Sequence, residues 1–173
     1  ESDEAKEWLE DATQRMYDVI SKSNFQQEIF EAYHDLIAFG TSCLMVEEDE
    51  DDIIRFSARH IKEIYIQENK KGYVDTLYRR FKMPAQAAIS KFGFENVSRE
   101  IQNIANKNPF DDVDIVHVVR PRIDFDPNKK DKKNMPFQSI YFEYGSGHII
   151  SLGGFLENPY VIPRYLKSST EMY

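Results

Sequence analysis

The clearest pattern in the chain is a helical spacing of apolar residues over its first forty positions. Apolar side chains recur every three or four residues, at Trp8, Ala12, Met16, Val19 and Ile20 and then at Phe25, Ile29, Tyr33, Leu36 and Phe39. Residues spaced in this way share one face of an α-helix. Ser23 and Gln26 are spaced as in a capping box, and Gly40 is suited to end a helix. The pattern predicts two helices, or one bent helix, ending at Gly40.

Beyond Gly40 the chain changes to short segments rich in β-branched and aromatic residues. Four such segments follow one another: TSCLMVEE, DIIRFSA, EIYIQE and YVDTLYRRFKM. The NKKG sequence at 69–72 lies between the last two, and Asn and Gly favour tight turns. The sequence therefore predicts a four-stranded meander over residues 41–83, with a hairpin turn at 69–72.

A short helical insert and a second set of strands complete the pattern. Pro84 and Gly93 bracket a first short helix, and NVSREIQNIANKN predicts a second, so residues 84–108 are helical. Strand-like segments resume over 112–167, interrupted by the loop DPNKKDKKNMP. YGSG predicts a hairpin between QSIYFEYG and HIISLGGF, and YVIPRYL predicts a last strand.

This order of elements predicts an α+β protein. A helical arm, residues 1–40, is expected to pack on a mostly antiparallel β-sheet that carries the small helical insert. A chain of 173 residues is long enough for one domain with its own core, and a second full domain is not expected. Residues 1–173 are therefore predicted to form a single domain.

The charge balance narrows the classes of partner. The chain has 22 basic and 30 acidic residues and a formal net charge of -8. A protein that grips the phosphate backbone normally presents a basic face, so a dedicated nucleic-acid binder is disfavoured. An acidic protein that lets DNA pass without gripping it remains compatible with this charge. No apolar run approaches the roughly 18–20 residues of a membrane span, so no membrane contact is predicted.

Local motifs give no support for an enzyme. Cys43, the one cysteine, lies in the apolar run SCLMV and is interpreted as a buried small hydrophobe. The four histidines lack metal-ligand spacing, and GSGHIISLGG lacks the Lys-Ser/Thr pair of a phosphate-binding loop. The sequence has no nucleophile-elbow motif, and no two carboxylates have a local spacing that indicates an acid–base pair. No catalytic residue, cofactor or metal is therefore predicted.

An acidic run is the first candidate site. It comprises Glu47, Glu48, Asp49, Glu50, Asp51 and Asp52. Clustered carboxylates suggest calcium, but the run lacks the alternating ligands and the sixth-position glycine of a calcium-binding loop. A solvated turn between two strands is the favoured interpretation. Because six like charges repel one another, a basic partner surface would also stabilise the run.

A basic run is the second candidate site. It contains Lys129, Lys130, Lys132 and Lys133. Each lysine could contact a phosphate, but no aromatic residue is interleaved for base stacking, and a solvated loop is favoured. In a ring of identical subunits, this loop and the acidic run could meet across a head-to-tail contact. The ten charged residues of the two runs are therefore predicted as subunit contacts.

Three segments in combination resemble the head-to-tail connecting (portal) proteins of short-tailed bacteriophages. They are the Asn24–Phe25 break followed by AYHDLIAFGT, the hairpin ENKKGYVDTLYRRF, and the closing NPYVIPRYLKSSTEMY. The resemblance spans nearly the whole chain. It implies that the chain corresponds to the wing region of a longer portal subunit, without the channel-lining helices or the clip that faces the packaging motor.

The resemblance also implies a function and a set of partners. Similar proteins form a ring of about twelve subunits at one capsid vertex, in keeping with closed cyclic assembly. Such a ring gives double-stranded DNA its way in and out without sequence-specific binding, and it joins the capsid to the tail. The expected partners are other copies of the subunit, major capsid or scaffolding protein, the terminase that hydrolyses ATP, and tail adaptor proteins. The expected location is the virion, after assembly in the host cytoplasm.

Two other classes stay open at this point. The first is a stand-alone virion adaptor or interaction module that forms no ring. The second is a small hydrolase whose site is assembled from distant carboxylates. An enzyme would show a pocket with clustered titratable groups of perturbed pKa, whereas a portal segment would show extended surfaces on which neighbours dock.

Overall fold

A computed structural model describes residues 2–129 and 131–165 and confirms the α+β class. Within these residues the chain divides into two compact units. The first unit holds residues 2–61 and 159–165, and the second holds residues 62–158. The prediction of a single domain over residues 1–173 stays a prediction.

The first unit combines two helices with a three-stranded antiparallel sheet of order β2-β1-β8. Its elements are α1 (Asp3–Lys22), α2 (Phe25–Phe39), β1 (Leu44–Asp49), β2 (Ile53–Ala58) and β8 (Tyr160–Val161). Ala32 of α2 is buried against Leu44 and Phe56 of the sheet, with Phe25 and Ile29 packed around them. The helical arm therefore packs on this sheet through α2, as its apolar spacing predicts.

The break between the two helices differs from the predicted capping box. Ser23 ends α1, where its hydroxyl donates to the Ile20 carbonyl and accepts from the Phe25 amide. Asn24 precedes α2, and its side chain makes no bond to that helix. The predicted capping box between Ser23 and Gln26 does not form, although Ser23 does accept the N–H of Phe25, the first residue of α2. Gly40 ends α2 with φ of 74°, as predicted, because glycine tolerates the left-handed conformation.

The second unit is a five-stranded antiparallel sheet of order β3-β4-β5-β6-β7 with two short helices. Its elements are β3 (Ile64–Glu68), β4 (Val74–Pro84), α3 (Ala85–Phe92), α4 (Arg99–Lys107), β5 (Asp112–Pro121), β6 (Phe137–Glu143) and β7 (Ile149–Phe155). The helices pack on one face of the sheet, and their buried core includes Ala85, Ala88, Ile101 and Ile115. The predicted helical insert is thus confirmed.

The predicted four-stranded meander over 41–83 is wrong. Its first two strands, β1 and β2, belong to one sheet, and the next two, β3 and β4, belong to the other. The last predicted strand shrinks to β8, which pairs with β1 instead of continuing the sheet of β7. Strands that follow one another in sequence often pair, but they need not do so. The prediction is wrong at the step from β2 to β3, where the chain passes from one sheet to the other.

Candidate functional site

Glu50, Asp51 and Asp52 form the tip of the β1–β2 hairpin, a turn as predicted, whereas Glu47, Glu48 and Asp49 of the acidic run lie in strand β1. Asp49 organises this tip, because its carboxylate accepts the backbone N–H groups of Asp51 and Asp52 at 3.0 Å each. These two hydrogen bonds lower the pKa of Asp49, and Arg55, which lies 3.4 Å from the carboxylate, lowers it further. The tip is therefore a defined turn that concentrates negative charge.

Ile53 follows this turn in an unusual conformation. Its φ is 69°, and it is the non-glycine residue with positive φ among those the structure describes. β-Branched residues rarely adopt this left-handed conformation. Its side chain is 66% exposed beside the carboxylates. The tip thus presents an apolar side chain within a negatively charged turn.

The calcium interpretation gains no support from the tip. In the described part of the chain, no three histidine, cysteine or acidic side chains converge as metal ligands would. One oxygen of Asp49 is already engaged by the two backbone amides, and the other faces Arg55.

The lysine loop lies between β5 and β6 and carries less free positive charge than its sequence suggests. Lys129 forms an ion pair with Asp126 at 3.7 Å, whereas Lys132 and Lys133 are exposed. Asp131 lies within the loop, and its carboxylate accepts a hydrogen bond from the side-chain amide of Asn134. This bond lowers the pKa of Asp131. Lys130 lies outside the described residues.

The structure places the two predicted charged sites in different units. The acidic tip belongs to the first unit and the lysine loop to the second. Their pairing across a contact between subunits therefore stays a prediction for all ten charged residues. Among the described residues, the side chains with a resolved pKa shift are Asp49 on β1, Arg80 on β4 and Asp131 in the loop between β5 and β6, so they do not form one cluster.

An aromatic concavity on the second unit was not predicted from the sequence. It lies on the face of the five-stranded sheet opposite α3 and α4 and has a cavity volume of about 400 Å³. Six residues line it, five on strands β3 to β6 and one directly after β6: Tyr65, Tyr78, Arg80, Val116, Phe142 and Tyr144. Strand alternation places Tyr78 and Arg80 on one face, but only the register brings the other strands' residues beside them.

Arg80 is the charged centre of this concavity. Its guanidinium lies 3.5 Å from the ring centre of Tyr144, a close cation–π contact. Its Nε donates to the Asp114 carboxylate at 3.1 Å, and this bond raises the pKa of Arg80. A stacked and hydrogen-bonded arginine is held in place and suits recognition of a carboxylate.

The helix α1 offers a second exposed apolar surface. It spans 20 residues, and none of its side chains is buried. The predicted apolar spacing is present, but it remains largely uncovered: the large exposed residues are Trp8, Leu9, Met16 and Tyr17. A helix within a protein gains most of its stability from packing its apolar face against other elements. This surface is therefore suited to cover by another chain or segment.

The remaining sequence candidates have structural roles. Cys43 is buried, as predicted. His117 is buried on the face of β5 opposite Val116 and Val118, where its ring stacks on Tyr141 and its Nε2 lies 2.9 Å from the Ser139 hydroxyl. The glycine-rich segment forms the turn of the β6–β7 hairpin and most of β7. Among the described helices, none has the length and apolar character to span a membrane.

Comparison with known proteins identifies the family of this chain. The family described as bacteriophage head to tail connecting protein matches residues 1–173. This chain belongs to that family. The portal protein of Salmonella phage epsilon15 is 34% identical to this family member over 171 residues, which cover 97% of the chain and 31% of the relative. The resemblance stated from the sequence is confirmed.

A second relative gives the same result. The probable portal protein of Bordetella phage BPP-1 is 30% identical over 176 residues, which cover 100% of this connector chain and 32% of the relative. The chain thus spans about a third of the length of the curated relatives it matches. The two units, with their exposed surfaces, correspond to that third.

Proposed function

We propose that this chain is part of a structural subunit of a phage portal ring, the head-tail connector. The observation that carries the proposal is the family match over the whole chain, together with two portal relatives aligned over nearly all of it. In this role the chain forms the wing region of the subunit. The ring provides the conduit for DNA packaging and ejection and joins the capsid to the tail at the portal vertex.

The charge of the chain supports a channel through which DNA passes rather than a protein that binds DNA tightly. The chain carries a formal net charge of -8, which opposes tight binding of a polyanion. In the lysine loop, Lys129 is already paired with Asp126. Double-stranded DNA is therefore a passing partner without sequence-specific contacts. The other partners are copies of the subunit, major capsid or scaffolding protein, the terminase and tail adaptors.

The exposed apolar surfaces support assembly. Contiguous apolar surface in a soluble protein commonly marks a protein interface, and Tyr and Phe are favoured in interface cores. The exposed side of α1 and the aromatic concavity are two such surfaces. Since terminase is the proposed ATPase of packaging, this subunit needs no catalytic residue of its own.

The test is a graft of this chain into a relative. The matching third of the epsilon15 portal protein is replaced by this chain, and the unmodified relative is the control. Light scattering on a sizing column gives the mass, and negative-stain electron microscopy gives the shape. The proposal predicts a discrete closed oligomer for the graft at the protein concentrations where the unmodified relative also assembles.

The opposite result has a clear meaning. A graft with native-like circular dichroism that stays monomeric, beside a relative that assembles, overturns the ring proposal. The chain would then be a stand-alone virion adaptor. A grafted gene that also restores DNA-filled, infectious particles supports the conduit role, and empty heads from an assembled graft contradict it.

A further inference from the structure

The aromatic concavity offers both apolar walls and hydrogen-bond donors. Tyr65 and Tyr144 at its edge are 63% and 53% exposed, so their rings and hydroxyls are accessible. Val116 and Phe142 supply the apolar part of the lining. Asp114 accepts from Nε of Arg80, and the two terminal nitrogens of Arg80 have no hydrogen-bond partner among the described residues. A fitting occupant therefore combines an apolar side chain with carboxylates.

The charge of this sheet face also favours a carboxylate-bearing occupant. Strand alternation places Lys82 and Arg120 on the same face as Arg80, together with the carboxylates of Asp112 and Asp114. Among these five side chains the three cations outnumber the two carboxylates. The chain as a whole carries a formal net charge of -8.

The β1–β2 hairpin tip has the complementary chemistry. Ile53 projects an exposed apolar side chain next to Asp51 and Asp52. Its positive φ costs about 1–2 kcal/mol for a residue other than glycine. Residues held in such conformations cluster at binding and active sites, where contacts made on binding offset the cost.

We infer that the aromatic concavity binds the β1–β2 hairpin tip of a second copy of this chain. Ile53 of the second copy packs on Val116 and Phe142, and the carboxylates beside it accept hydrogen bonds from Arg80 and the tyrosine hydroxyls. A volume of about 400 Å³ lies in the range of sites that hold such a group. The inference rests on the proposed function and names the surfaces that meet.

The contact joins two different surfaces of the same chain. Such a heterologous, head-to-tail contact generates a closed ring when the rotation between neighbours closes. The acidic run would thus meet the arginine and tyrosines of the concavity, whereas the sequence predicted the lysine loop as its partner. In this arrangement the exposed side chain of Ile53 becomes buried, and the contacts that it makes offset the cost of its positive φ.

Disulfide trapping between separate chains tests the contact. Cys43 is buried and is replaced by alanine, so that each chain carries one accessible cysteine. One preparation carries Glu50→Cys on the tip, and the other, labelled with nitrogen-15, carries Gln67→Cys, which shares the sheet face of Tyr65. Mass spectrometry after mild oxidation counts mixed dimers. Asn103→Cys, exposed on α4 at the other face, replaces Gln67→Cys in the control.

The inference predicts at least tenfold more mixed dimer for the Gln67→Cys partner than for the Asn103→Cys partner. Replacing both Asp51 and Asp52 by lysine on the tip should lower the Gln67→Cys yield at least fivefold. A matched variant, with Glu4 and Glu7 of α1 replaced by lysine, changes the net charge equally and should keep the yield. Equal losses in the two variants overturn the specific contact in favour of a general charge effect.

Two further results separate this inference from the proposed function. Equal yields for the two cysteine partners, while the grafted portal protein still assembles, overturn the tip contact and leave the portal proposal standing. A monomeric graft overturns the portal proposal itself. A further variant carries both Glu50→Cys and Gln67→Cys in one chain. If its disulfide forms only within single chains, the tip lies in the concavity of its own chain, and the contact with a second copy is wrong.

Discussion

At the scale of single residues, Asn24 shows how one side chain can fix an element. Its amide nitrogen donates to the Phe56 carbonyl at 2.8 Å, and its amide oxygen accepts the Phe56 N–H at 2.9 Å. Glu28 accepts the Ala58 N–H in the same way. These side chains therefore take the place of a neighbouring strand along the free edge of β2, and they protect that edge from pairing with another chain.

Replacing Asn24 by alanine should lower the free energy of unfolding by about 1–3 kcal/mol, because it leaves the Phe56 N–H and carbonyl without their partners. Asn24→Asp should lie between alanine and the parent, since a carboxylate accepts but cannot donate. Urea denaturation gives the energies, and amide exchange at Phe56 reports the site. Gln27→Ala, at an exposed position of α2, is the control and should change little. Equal stability of Asn24→Ala and Gln27→Ala would contradict this account.

The Asp49 carboxylate makes the hairpin tip sensitive to acid. Its pKa in the folded chain lies below 3.8, so the ionised form is the one that the fold stabilises. This contribution is complete above the pKa of the unfolded chain and is lost as the pH falls through the lower, folded value. A carbon-13 titration should therefore place the Asp49 midpoint below 3.8. A midpoint at or above that value rules out the two backbone hydrogen bonds as the organising contacts.

At the scale of elements, local chemistry predicts where helices and hairpins begin and end. Gly40, Pro84 and Gly93 act within their own turns, so sequence alone places the ends of α2 and α3. Asn24, the residue before α2, bonds to β2 across a separation of 32 residues instead of capping its own helix. Spacing along the chain does not reveal such a partner. The meander failed for the same reason, since β8 pairs with β1 from the far end of the chain.

The candidate sites likewise differ in whether they are contiguous in the sequence. The acidic run and the lysine loop are contiguous in sequence and were predicted as turn and loop from composition. The concavity is assembled from β3, β4, β5 and β6, so it exists only once the strands are in register. The alternation of Tyr78 and Arg80 was a visible sign of a mixed aromatic and charged face. Nothing local placed Tyr65 and Tyr144 beside them.

Gly154 of β7 fixes how the lysine loop lies on the sheet. A Cβ atom at this position would lie 2.5 Å from the Lys132 carbonyl oxygen and 2.8 Å from the Phe137 carbonyl oxygen. Gly154→Ala must therefore displace backbone, which should cost about 1–3 kcal/mol of the free energy of unfolding. Gly153→Ala is the matched control, because its nearest contact is an ordinary 4.0 Å to Ser139.

The two glycine variants should differ in the loop as well as in stability. Amide chemical shifts around Lys132 and Met135 should move in Gly154→Ala and stay in place in Gly153→Ala. If both variants unfold at the same urea concentration with unchanged loop signals, the close approach of the loop to β7 is wrong.

At the scale of the whole molecule, the two units differ in how the chain builds them. The second unit is one continuous stretch, residues 62–158, whereas the first needs two separate stretches. The core of the second unit is formed within its own stretch, from Phe81 to Ile150. In the first unit, β1 receives a strand partner on each side only when β8 returns from the end of the chain. Loss of β8 should therefore weaken the first unit and spare the second.

Residues 62–158 expressed alone should fold, because every strand of the five-stranded sheet and both helices that cover it lie within that stretch. The expected result is dispersed amide signals and a cooperative thermal transition by circular dichroism. Ile115→Ala, which opens a cavity in this core, should lower the free energy of unfolding by about 2–5 kcal/mol in the fragment and in the full chain alike. A fragment with the spectrum of an unfolded chain would instead support the single cooperative domain that the length of the sequence predicts, with the two units depending on each other for stability.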